Sequence, residues 1–179
     1  MPGQYTVRLT VDGKSYTQPL TVKMDPRVKT PLLGLQQQFT LSKQLYDDGA
    51  AAAAAIDQLR ALRAQLQKAK DAAGAPAEAI AALDKKANEL MGSGGGGFGG
   101  GGAAAPAADS LSSVRASLLS LIGILQGADV APTTQAVAAV ADRRKAMAAL
   151  LSKWSAIKAK DLPAVNAQLR ASNLPELKL

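Results

Sequence analysis

With 179 residues, no cysteine and no histidine, the chain has no route to a disulfide, a thiolate nucleophile, a Ser-His or Cys-His pair, or an imidazole metal ligand. Hydrophobic residues reach 47% but aromatics only 3%, so a core must be built from Leu, Ile, Val and Ala. The net charge of +7 raises the question of an anionic partner, but residues 31–91 balance seven basic against seven acidic, and the excess lies in residues 1–30 (five against two) and 109–179 (nine against five).

Tyr5, Val7, Leu9 and Val11 alternate with Thr6, Arg8 and Thr10, the period of a strand with one apolar face. Asp12-Gly13 accepts the positive φ angles of a tight hairpin turn, and Ser15 to Lys23 returns with Tyr16, Leu20 and Val22. Pro19 has no N–H to give a ladder, which predicts an edge strand or a bulge there. A lone hairpin is marginal in water, so its sheet partners are expected outside this chain. Met1 to Val11 lacks the cationic start and apolar core of a signal peptide, and no run approaches the roughly 20 apolar residues that span a bilayer.

Thr30-Pro31 predicts the start of the first helix, with a capping hydroxyl and a proline at the first helical position. Leu41, Leu45, Ala52, Leu59, Leu62 and Leu66 form a near-heptad, coiled-coil-like seam, and Leu32, Leu35, Phe39 and Tyr46 an earlier stripe expected to rotate into it. Gly74 to Pro76 ends one helix and starts the next, in which Ile80, Leu83, Ala87 and Leu90 share a face. From Gly92 the sequence GSGGGGFGGGG, followed by alanines to Ala108, has the composition of a flexible tether. Asp109 or Ser110 is expected to cap a third helix carrying Leu111, Val114, Leu118, Leu121, Ile122 and Leu125. Pro132-Thr133 opens a fourth, with Val137, Val140, Met147, Leu151, Trp154 and Ile157 on one face, and Asp161 with Pro163 is expected to start a short last helix.

Candidate chemistry is sparse. The glycine tract matches a dinucleotide fingerprint only in composition, since helix precedes and follows it and no Gly-Lys-Ser/Thr is present. Asp47, Asp48, Asp57, Asp71 and Glu89 lie on or beside helices; Asp47 and Asp48 diverge by about 100° and do not converge on one point. The basic run Arg143, Arg144, Lys145, Lys153, Lys158 and Lys160 points all round its helix, as a solvated surface does. Trp154, in phase with Leu151 and Ile157, reads as a core anchor, and Tyr5 as a tyrosine-corner residue if further strands exist. No catalytic, cofactor-binding or metal-binding residue is assigned, and no specific nucleic-acid site is expected.

The stretch PGQYTVRLTVDGKSYTQPLTVKMDPRV resembles the last two strands of the immunoglobulin- or fibronectin-like domain near the C-terminus of bacterial sortilin-like and BNR-repeat β-propeller proteins. LQGADVAPTTQAVAAVADRRKAMAALLSKW and DLPAVNAQLRASNLPEL are similar to the helical tail closing those chains. The resemblance implies an exported parent, periplasmic or extracellular, with a ligand-binding propeller upstream as this chain's partner.

The expected fold is mainly α: an antiparallel four-helix-type bundle with a short C-terminal helix, preceded by a β-hairpin left over from a β-sandwich. Its parts are the hairpin and linker (1–29), a first helical hairpin (30–91), the Gly/Ala-rich linker (92–108), and a second helical hairpin with the short helix (109–179). The expected role is a non-catalytic structural or protein-interaction module of a larger exported β-propeller protein. A basic helical module binding anionic polymer or membrane surface is the alternative, and a part of a glycosidase-like enzyme whose catalytic residues lie elsewhere is the third.

Overall fold

In the computed structural model, residues 2–72, 74–92 and 109–179 are described. Nearly all of the glycine tract expected as a tether lies outside them. The hairpin comprises β1 (Gly3–Val11) and β2 (Lys14–Val22), antiparallel, with Val11 opposite Lys14 and Gly3 opposite Val22. Asp12 and Gly13 take φ of 48° and 77°, the primed turn whose twist suits a two-residue hairpin. The helices are α1 (Leu32–Lys70), α2 (Ala77–Met91), α3 (Leu111–Leu125), α4 (Thr134–Ala156) and α5 (Leu162–Ala171). The protein is therefore a mainly α helical bundle with an N-terminal hairpin.

The 39 residues of α1 make a spine about 58 Å long at 1.5 Å per residue. α2 runs back along its C-terminal half, where Arg63 Nε donates to Asp84 Oδ1 at 2.7 Å and Arg63 Nη1 to Asn88 Oδ1 at 2.7 Å. α3 runs back along the N-terminal half: Arg115 Nε reaches the Gly49 carbonyl at 3.3 Å, and the Gln38 amide donates to the carbonyls of Leu125 and Ala128. The end of α2 meets the start of α3, since a β-carbon on Gly92 would sit 2.1 Å from Ser110 Oγ. These two helices thus lie end to end, and together they form one column beside α1.

The third column is α4, running with α1: Arg144 Nε donates to Asp48 Oδ2 at 2.7 Å and the Trp154 indole to Gln58 Oε1 at 3.1 Å. It continues without a break through a π-helical turn (Ile157–Asp161) into α5, and Lys86 ties Asp161 to α2 at 2.7 Å. The short last helix starts at Asp161 and Pro163 as read, but without a break from α4: Asp161 is itself helical with no side-chain cap, and the Leu162 N–H bonds the Ile157 carbonyl five residues back. A proline inside a helix removes a donor and crowds the preceding turn, and the wider π turn just before Pro163 takes up that mismatch.

One core joins all three columns, from Leu45, Leu59, Leu62 and Leu66 through Ile80, Leu83 and Leu118 to Met147, Trp154 and Leu169. Two expectations for α1 fail. Thr30 does not cap the helix, because its hydroxyl donates to the Asp129 carbonyl at 2.5 Å, and Pro31 occupies the cap without a side-chain bond. Of the early stripe only Leu35 is buried, while Leu32, Phe39 and Tyr46 stay 58%, 51% and 67% exposed. Ser110 caps α3 as read, in a capping box with Ser113, and at the start of α4 Thr133 Oγ1 accepts from the Ala136 N–H.

The tail from Asn173 to Leu179 is clasped. Asn166 exchanges two hydrogen bonds with the backbone of Leu177, at 2.9 and 3.0 Å, and Gln65 does the same for Lys178, at 2.9 and 2.7 Å. Leu177 is thereby held in the core.

Candidate functional site

Polar residues that the sequence offered for chemistry are dispersed. Asp47 pairs with Lys43 at 2.6 Å, Asp48 with Arg144, and Asp57 with Arg60 at 3.0 Å. Asp71 follows the last residue of α1, and Glu89 is exposed on α2. Asp47, Asp48 and Asp57 are thus each paired with a basic residue rather than with a second acid. Among the described residues, no three His, Cys, Asp or Glu side chains group closely enough to hold a metal ion.

The basic run is divided as well. Arg143 is turned to Asp109 at 3.1 Å and Arg144 to Asp48 and Gln44, which takes both guanidinium groups into helix-to-helix contacts. Lys158 lies 5.4 Å from the centre of the Trp154 ring. Lys145, Lys153, Lys158 and Lys160 are exposed without an acidic partner among the described residues. Trp154 is 3% exposed, a core anchor as its phase predicts. In the linker before α1, the Arg27 guanidinium, aided by the Arg27 N–H, holds the Asp25 carboxyl below its ordinary value.

Apolar surface is where the molecule departs from a closed globule. Every position of β1 and β2 is exposed. The register places Tyr5, Val7, Leu9 and Val11 on one face with Leu20, Gln18, Tyr16 and Lys14 opposite them, and Val22 beyond. Leu9 and Tyr16, directly paired at the centre of that face, are 60% and 59% exposed. The other face is a polar ladder in which Thr10 bonds Ser15 and Thr21 bonds Gln4, each at 2.9 Å.

At its base the hairpin meets the bundle across a cleft of 320 Å³ lined by Val22, Met24, Leu35, Gln38 and Phe39. A second cleft of 300 Å³ adjoins it, sharing Phe39, Ser42 and Gln126 and adding Tyr46 and Ile122. The sequence places Phe39 and Tyr46 on a core stripe, so this wet aromatic margin was not foreseen; their seven-residue spacing gave phase but not what covers it. Ser42, 6% exposed, borders both clefts with its hydroxyl unpartnered. Charged side chains also line these clefts, Lys23 and Asp129 in the first and Lys43 in the second.

Set against protein-family models, curated proteins and solved structures, the chain matches none.

Proposed function

We infer that the chain is a non-catalytic structural module that docks onto a β-rich partner, with the helical bundle as a self-contained platform and the hairpin as the docking element. The observation that carries this reading is the disparity in burial. The bundle closes a continuous core, while seven apolar side chains of the hairpin, from Tyr5 to Val22, are each 40–60% exposed on one ordered face. Soluble chains cover such a face with a second sheet or a helix. The alternation, the Asp-Gly turn and the polar outer face fit two strands completing a sandwich. The partner in this reading is the sandwich and propeller of an exported parent, as the sequence resemblance implies.

The reading is tested by substituting the centre of the face, Leu9→Lys with Tyr16→Lys, in the full chain. The wild-type protein is expected to co-purify from its source cells with a β-sandwich or propeller polypeptide, and the double variant to lose it while keeping its helical melting curve. Equal recovery with both proteins contradicts the reading.

A further inference from the structure

The two edges of the hairpin are not equivalent. Val11 and Lys14 flank a two-residue turn, so they form a hydrogen-bonded pair, and pairing alternates from there along the ladder. Leu9–Tyr16, Val7–Gln18, Tyr5–Leu20 and Gly3–Val22 bond inward, while Thr10–Ser15, Arg8–Thr17, Thr6–Pro19 and Gln4–Thr21 turn their backbone groups outward. Pro19 therefore presents its missing N–H to the outer edge of β2, which blunts that edge at its middle. The outer edge of β1 carries a complete set of donors and acceptors on Gln4, Thr6, Arg8 and Thr10, with no proline, bulge or lysine to guard it.

We propose that the outer edge of β1 pairs with the same edge of a second copy of this chain, antiparallel about a two-fold axis at Val7, giving a four-stranded sheet in the order β2–β1–β1–β2. The register selects itself. Centred on Val7, Gln4 pairs with Thr10 and Thr6 with Arg8 of the other copy, so every outward group of β1 is satisfied. One step toward the N-terminus sets Thr10 against Pro2, which has no donor; one step toward the turn sets Arg8 against Arg8. The chosen register also keeps the faces matched, with Tyr5 beside Leu9 and Val7 beside Val7. Antiparallel pairing places the two bundles at opposite ends of the sheet, beyond the exposed strands.

Nine residues of edge span about 30 Å, and one added strand covers far less than the roughly 1,200 Å² of a stable interface. The dimer is accordingly weak and concentration-dependent. This inference goes beyond the docking reading, because it concerns the edge of the hairpin rather than its face, and either can fail alone. The chain has no cysteine of its own, so single cysteines report the contact cleanly.

Val7→Cys lies on the proposed axis at a non-hydrogen-bonded pair, where Cα separations suit a disulfide; Gln18→Cys lies directly across on β2 and marks the axis of the competing β2 edge pairing. Under mild oxidation Val7→Cys is expected to form covalent dimer about tenfold faster than Gln18→Cys or a helix control, Ser155→Cys. Sedimentation equilibrium of the wild-type chain into the millimolar range should show rising mass, abolished by Arg8→Pro, which removes an outward N–H as Pro19 does on β2. Equal crosslinking at Val7 and Gln18, or a wild-type chain monomeric at every concentration, overturns the proposal; loss of partner docking in Leu9→Lys with Tyr16→Lys bears on the face alone.

Discussion

The bundle and the hairpin are built on opposite terms. In the bundle, each helix buries a stripe: α2 hides Ile80, Leu83, Ala87 and Leu90, and α5 hides Leu162, Val165 and Leu169. In the hairpin, the same quality of pattern, period two instead of period 3.6, hides nothing. Amphipathic periodicity shows that a face is meant to be covered; it does not show that the cover lies in the same chain.

The comparison breaks most readily at Trp154. Its ring is 3% exposed and its indole N–H is bonded to Gln58 on α1, so Trp154→Ala is expected to destabilise the bundle by about 3–5 kcal/mol in urea unfolding. A cost under about 1 kcal/mol would mean that the third column is not locked to α1 as described. Next in size is Gly92, where φ is +75° and a β-carbon would meet Ser110 Oγ at 2.1 Å. Gly92→Ala should cost about 1–3 kcal/mol by thermal melting, through strain at the α2–α3 junction. Gly74→Ala serves as a control for the φ effect alone, since Gly74 has a φ of +77° with open space around it.

Smaller still is the clasp on the tail. Gln65→Ala with Asn166→Ala removes four hydrogen bonds to the backbone of Leu177 and Lys178, for an expected loss of about 1–3 kcal/mol and rapid amide exchange at 174–179. The smallest effect belongs to the hairpin: Leu9→Lys with Tyr16→Lys should leave the helical transition within about 0.5 kcal/mol of wild type. A larger loss would show that the hairpin is part of the bundle's own stability.

Much of this was legible before the structure. Asp12-Gly13 names its turn, Ile80 to Leu90 name their buried face, Ser110 caps α3, and Thr133 marks the start of α4. What failed was decided by distant partners. Thr30 looks like a cap until the Asp129 carbonyl, 99 residues away, takes its hydroxyl. Gln65 carries no signal of its bonds to Lys178, 113 residues on. Phe39 and Tyr46 have the spacing of a core stripe, yet they border an open cleft with Ile122 and Gln126 instead of packing against them. Pro163 reads as a boundary because periodicity does not reveal a π turn able to absorb it. The end-to-end placement of α2 and α3 was hidden by the tract between them, whose composition carries no direction.

The bundle is expected to fold without help from the hairpin, which is held by its turn and its own ladder. Hydrogen exchange by mass spectrometry on the Arg8→Pro chain, at a dilution where it is shown to be monomeric, tests this directly. Amides of 111–156 should exchange only through global unfolding, and those of 3–22 should exchange by local opening, faster by at least about two orders of magnitude. Equal protection of the hairpin and the bundle in that monomer would contradict the account.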